Sequence, residues 1–166
     1  LKSEGSIKAR SFARSLINEW IDQDINLRSN VFNSEIMAER VSCWCFNYSW
    51  FGESWDLNFQ KKVLNSIAFQ TKFLELKLEE THKPINQIII IKGILVAKSI
   101  LYKDINNIHA MLDIVNDAVD LLINSDGGHK SRSPIKQLLL LRHLVEIRSI
   151  VAVLKNIDAE YLHLSL

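Results

Sequence analysis

His129 and Arg132 crowd into the run Asn124-Ser125-Asp126-Gly127-Gly128-His129-Lys130-Ser131-Arg132-Ser133-Pro134, and their types suit work on an acidic ligand. A neutral imidazole accepts a proton near neutral pH, and an imidazolium pairs with a carboxylate. A guanidinium binds a carboxylate or sulfate through two parallel hydrogen bonds. His129 is therefore the candidate base or carboxylate contact, and Arg132 the candidate anion grip. Each has a structural alternative. The His129 ring can cap the loop through a nearby carbonyl, and Arg132 can tie loop carbonyls or Asp126 together.

The elements that position this loop are helices. Two adjacent glycines permit a positive φ and end the preceding helix, while Ser133 followed by Pro134 is an N-cap and first-turn signal for the next. The spacing predicts a tight inter-helix loop displaying His129 and Arg132. From Ile7 to Ile25, Phe12, Leu16 and Trp20 step by four, with Ala9, Ala13 and Ile17 flanking the same stripe. After a polar break, Ser34 is a cap for a second helix with Ile36, Met37, Val41 and Trp44 on one face. That helix dissolves into an aromatic, turn-prone stretch from Phe46 to Trp55. Asp56 caps a third, carrying Phe59, Val63, Ile67, Gln70 and Leu74.

Pro84 ends one helical stretch and starts the next. Four consecutive isoleucines, Ile88 to Ile91, favour a strand locally because they are β-branched. The apolar pattern from Ile85 to Leu101 is too long for a typical strand, however, and Gly93 and Ala97 give it a small-residue face, so it is read as a buried helix. Lys92 and Lys98 interrupt it too often for a transmembrane span. Asp104 caps a fifth helix bearing Ile108, Met111, Leu112, Val115, Val119 and Leu122. Leu138 to Val153 forms a sixth, with Arg142, His143, Glu146 and Arg148 as its polar positions. The expected fold class is all-α, six or seven helices in antiparallel hairpins, with no regular repeat.

Composition narrows the function. With 166 residues, 48% hydrophobic and 23% charged, the chain is about one domain with a core. A net charge of +1 creates no long-range field, so neither nucleic acid nor an anionic membrane is an expected partner. Cys43 and Cys45 point about 200° apart on a helix, cannot bridge, and are read as buried thiols. The remaining histidines, His82, His109, His143 and His163, lack metal-ligand spacing and are read as surface or partly buried residues. No metal or cofactor is expected.

The loop also resembles a known family. Asp126-Gly127-Gly128-His129 followed by Ser131-Arg132-Ser133-Pro134 is similar to the "Asp-Gly-Gly-His, two residues, Arg-Ser/Asn-Pro" loop in the N-terminal helical region of heparinase II/III-like proteins. Glu35 to Trp44, with Arg40-Val41-Ser42-Cys43-Trp44, resembles that family's "Arg, apolar, two small residues, Trp" helix. Gly93-Ile94-Leu95-Val96-Ala97 is similar to its small-residue helix before the glycine loop. The likeness runs over roughly residues 10 to 157.

This resemblance implies that residues 1–166 are part of an incomplete α/α toroid, followed in the family by a β-rich sandwich. It implies a polysaccharide lyase acting on uronic-acid glycans such as heparan sulfate, and is compatible with a bacterial periplasmic setting. Such β-elimination needs the uronate carboxylate neutralised, a base for the C5 proton and an acid for the leaving oxygen. Two positions depart from the pattern. Where many members have "Ser-Pro, one residue, Tyr-His", this chain has Ile135-Lys136-Gln137, and the family's Asn-His pair is represented only by Asn86. Asn86 is the remaining candidate carboxylate contact; Lys136 reads as a solvated lysine. Trp44 is expected in the core, leaving Trp50 and Trp55 as candidate sugar-stacking rings. Leu1 at the start and Asp158, capping a helix barely begun at Leu166, suggest ends cut from a longer chain. Uncovered helix faces would then make the fragment self-associate. A non-catalytic glycan-binding or degenerate member, or a helical protein-interaction module, is the alternative.

Overall fold

In the computed structural model, residues 7–23, 33–52, 56–101 and 107–154 are described, so the expectations at Trp55, Asp104 and Asp158 lie outside them. Seven helices follow one another: α1 Ile7–Asp22, α2 Ser34–Phe46, α3 Tyr48–Gly52, α4 Leu57–Glu80, α5 Pro84–Leu101, α6 Ile108–Leu122 and α7 Pro134–Val153. Among the described residues the only strand-like feature is one antiparallel bridge, Ile123 with His129. The fold is all-α, as the periodicities require.

Local chemistry sets most helix ends. Asp56 accepts from the Phe59 amide, and Ser133 accepts from the Lys136 amide with Pro134 at the first turn. For α2 the cap is Asn33 rather than Ser34: its Oδ1 takes the amides of Glu35 at 2.9 Å and Ile36 at 3.2 Å. Asn107 enters α6 in a left-handed conformation and makes no side-chain cap bond. Within the aromatic stretch expected as a turn, Phe46 closes α2 and Tyr48–Gly52 forms the short helix α3, while residues 53–55 lie outside the described residues.

α5 is the hub, packing against α2, α4, α6 and α7. Ile88, Ile90, Ile91, Lys92, Gly93, Ile94, Leu95, Val96 and Ala97 are all buried. Apolar residues around the whole circumference mark a helix enclosed by others, which is why the isoleucine run is helical. Each fully buried Ile or Leu contributes about 1.5–3 kcal/mol. α5 is also the one described helix long and apolar enough to cross a bilayer, yet its middle is covered by its neighbours.

Gly93 allows the closest approach in the core. A Cβ there would sit 3.0 Å from the Ala38 Cα and Cβ, so α2 and α5 meet nearly backbone to backbone. Side-chain contacts give the direction. Asn86 of α5 meets Glu35 of α2 and Lys92 meets Glu39, so the two helices run parallel. The middle of α7 faces the middle of α5 through Lys92 and His143, and short connections link α5 to α6 and α6 to α7. The N-terminal ends of α2, α5 and α7 therefore share one end of the molecule.

Several facing expectations change. On α1 the buried residues are Ala9, Ala13 and Ile17, while Phe12 and Leu16 are 54% and 45% exposed. Small side chains let α1 approach α3 and α4, and that contact wins over the larger apolar residues. Ile36 is exposed as well, whereas Met37, Val41 and Trp44 are buried as expected. Cys43 is exposed rather than buried. Cys45 is buried, and desolvation pushes its thiol up to about 12.

Candidate functional site

The glycine loop is braced from inside. Gly127 takes a φ of +79°, its amide donates to the Asn124 carbonyl at 2.9 Å, and the Asn124 amide donates to the Gly128 carbonyl at 2.9 Å. The Lys130 amide reaches back to the Leu122 carbonyl at 2.7 Å, closing the bridge that pins His129 to the end of α6. Gln137, one turn into α7, clamps the loop from the other side. Its Oε1 accepts from the His129 amide at 2.5 Å and its Nε2 donates to the Gly127 carbonyl at 3.1 Å.

His129 is only 9% exposed, so the loop holds the ring inward rather than displaying it. The Ser131 amide donates to His129 Nδ1 at 3.0 Å, and the Ser131 hydroxyl lies 2.9 Å from the same nitrogen. A backbone N–H can only donate, so Nδ1 is the acceptor and the neutral ring carries its proton on Nε2. In that tautomer His129 offers a hydrogen-bond donor to a partner and has its basic nitrogen engaged.

Arg132 is exposed and adopts a φ of +54°, which aims its side chain back across the loop. Its Nη1 meets Asp126 Oδ2 at 2.6 Å, while Asp126 Oδ1 accepts from the Gly128 amide at 3.0 Å. Those bonds, the Arg132 one first, hold the Asp126 carboxyl below its usual range. Of the two readings for Arg132, the geometry has it tying Asp126.

Asn86 donates from Nδ2 to Glu35 Oε1, linking the first turns of α5 and α2. Because α5 and α7 start at the same end, Asn86 lies on the side of the molecule that carries the glycine loop. Trp50 does not. It sits on α3, beyond the far end of α2, a helix about 20 Å long at 1.5 Å per residue. There it lines a cavity of about 410 Å³ with Leu16, Ile17, Trp44 and Phe51. The structure thus brings His129, Arg132 and Asn86 to one end and leaves Trp50 at the other.

Trp44 is in the core as expected, packed edge-on against Trp20 with ring centroids 5.2 Å apart. The neighbouring Arg40 stacks 4.1 Å above the Trp20 ring, and its Nε donates to Gln70 Oε1 at 2.8 Å. Burial lowers the Arg40 guanidinium to about 10. Within the segment Arg40 to Trp44, the arginine and the tryptophan therefore meet through a shared ring on α1.

A second charged group was not foreseen. Lys92, wholly buried in the apolar run of α5, places Nζ 2.7 Å from Glu39 Oε1, 3.0 Å from Glu146 Oε2 and 3.3 Å from His143 Nδ1. His143 is 6% exposed, not a surface residue. The only sequence signal was a lysine amid isoleucines, together with His143 and Glu146 one helical turn apart on α7. Among the described residues no group of three or more His, Cys, Asp or Glu could hold a metal ion. Comparisons with known proteins add no identity: no family model, no curated protein and no solved structure matches the chain.

Proposed function

We propose that this chain is the helical portion of a heparinase II/III-like polysaccharide lyase, part of an α/α toroid that holds a uronic-acid glycan at the end carrying the glycine loop. The observation behind this reading is the loop itself: every polar member of the Asp-Gly-Gly-His, Arg-Ser-Pro run has a distinct bracing partner, and the result fixes one histidine tautomer. The parallel course of α2, α5 and α7 agrees with stacked helix hairpins.

In β-elimination a base removes the C5 proton, the C4–O bond breaks as the C4=C5 double bond forms, and an acid protonates the departing oxygen. His129 with its proton on Nε2 suits the remaining need, donating to the uronate carboxylate as charge builds at C5. Asn86 can supply a second donor, its side-chain amide, at that end if Glu35 releases it. The base and acid come from elsewhere in the whole protein, because Ile135-Lys136-Gln137 stands where the family has its Tyr-His.

A second reading has its own observation. Arg132 is closed on Asp126 and Gln137 is spent on the loop, as in a retained scaffold whose chemistry has lapsed. The natural chain incubated with heparan sulfate, alginate and hyaluronan, followed by ultraviolet absorbance of unsaturated uronate, tests both. A rise that His129→Ala lowers by roughly 100-fold or more supports the lyase. Saccharide binding without any rise supports the non-catalytic glycan binder, and neither binding nor turnover removes the glycan reading. Residues 1–166 alone are expected to give no turnover.

A further inference from the structure

Side chains from three helices converge where α7 lies against α2 and α5. α2 contributes Glu39, α5 contributes Lys92, and α7 contributes Arg142, His143 and Glu146. Lys92 is wholly buried and within 3.3 Å of both carboxylates and the His143 ring. His143 Nδ1 is 3.7 Å from Glu39 Oε1, and Arg142 is 3.0 Å from Glu146 and 4.0 Å from Glu39.

The ring's state follows from its partner. An ammonium has donors and no acceptor, so the contact with Lys92 requires His143 Nδ1 to accept, which a neutral ring does and an imidazolium cannot. With the ring neutral, Lys92 and Arg142 balance Glu39 and Glu146. A proton on His143 turns acceptor into donor, sets two N–H groups against each other at 3.3 Å, and gives the cluster three positive groups against two carboxylates, with Glu39 at 3.7 Å already engaged by Lys92. α7 is held mainly from one face: Leu140, Leu144, Ile147, Ile150 and Val151 are buried, whereas Ile135, Leu138 and Val145 are exposed. All the ion pairs described between α7 and α2 pass through Glu39.

We propose that Glu39, Lys92, His143 and Glu146 form an acid-sensitive latch, closed while the His143 ring is neutral and released by its protonation, so that α7 loosens from α2 and α5. The sign is fixed by the surroundings. Burial first, and then Lys92, hold the His143 ring below its usual value, with Glu39 and Glu146 pulling the other way. The detached ring therefore protonates before the packed one. Stability from this group is complete above the ordinary histidine value of 6.5 and is lost as pH falls from there toward the lower folded value.

Amide hydrogen exchange of the chain, stepped from about pH 7.5 to about pH 5 and corrected for intrinsic rates, tests the latch across the histidine range. The comparison is α7 against α4, in the wild type and in His143→Asn, whose Oδ1 can replace Nδ1 as acceptor without titrating. Exchange in α7 of the wild type is expected to accelerate severalfold relative to α4 as the pH falls, with the variant flat, since only the wild type carries a group whose protonation favours the detached state. Equal pH dependence in both proteins, or acceleration of all helices together, would overturn the proposal. Should the variant fail to fold, NMR titration of the His143 ring in the wild type decides: a midpoint below the ordinary histidine value supports the latch, and one at or above it overturns it.

Discussion

The glycine loop and the Lys92 cluster both join acids to bases, but they stand in opposite dielectric settings. Arg132 and Asp126 meet at 2.6 Å with more than half of each side chain exposed, and water screens them. Lys92 meets Glu39 at a nearly identical 2.7 Å with its own side chain wholly buried, although that of Glu39 is 41% exposed, and the ammonium must be neutralised by its neighbours. Equal distances therefore carry unequal consequences. In the loop, backbone hydrogen bonds and Gln137 fix the shape and the ion pair adds a brace. In the cluster, the charges themselves decide whether three helices can pack.

The sharpest break of this comparison is Lys92→Ala, which leaves Glu39, Glu146 and the His143 ring facing an unfilled space. A loss of about 3–5 kcal/mol is expected by denaturant unfolding, and Lys92→Met, which fills the volume but still leaves Glu39 and Glu146 without their cation, is expected to recover only the packing part of it. If Lys92→Ala unfolds no more easily than Arg132→Ala, the contrast between the two regions is wrong. Gln137→Ala comes next. It removes two loop hydrogen bonds and is expected to cost about 1–2 kcal/mol, with faster exchange of the Lys130 amide. Arg132→Ala should be smallest, leaving the melting temperature within experimental scatter. Its visible effect should be on Asp126, whose carboxyl is held down by Arg132. That small contribution is present above the unfolded carboxylate value and fades as pH falls through the lower folded one. NMR titration of Asp126 moving upward in the variant would bear this out, and no movement would mean that the Gly128 amide alone sets it.

How much of this was legible in the sequence differs by residue. Asp56, Pro84, Ser133 and Pro134 announced their helix boundaries because capping depends on residues three or four positions away. The small face of Gly93 was readable for the same reason, though not that Ala38 would fill it. Phe12 and Leu16 misled because α1 carries two adjacent apolar stripes, and only contact with α3 and α4 selects the one with alanines. In the candidate site, the Asp126–Arg132 tie was among the open alternatives. The Gln137 clamp and the His129 tautomer were not foreseen, since both require atoms rather than residue types. Trp50 could not be placed relative to His129 until the direction of α2 was known.

Helical character, and nearly where every helix but α3 begins, can be read from local pattern, because periodicity, proline and caps act within a few residues. The burial of α5 can be read there too, since its apolar residues leave no polar face. That Lys92 finds Glu39, 53 residues earlier, and His143, 51 residues later, follows from helix packing and from nothing local. Such meetings depend on the register and direction of whole helices. The free energy that sets them is summed over every packed contact of α5, and no single stretch of the chain contains it.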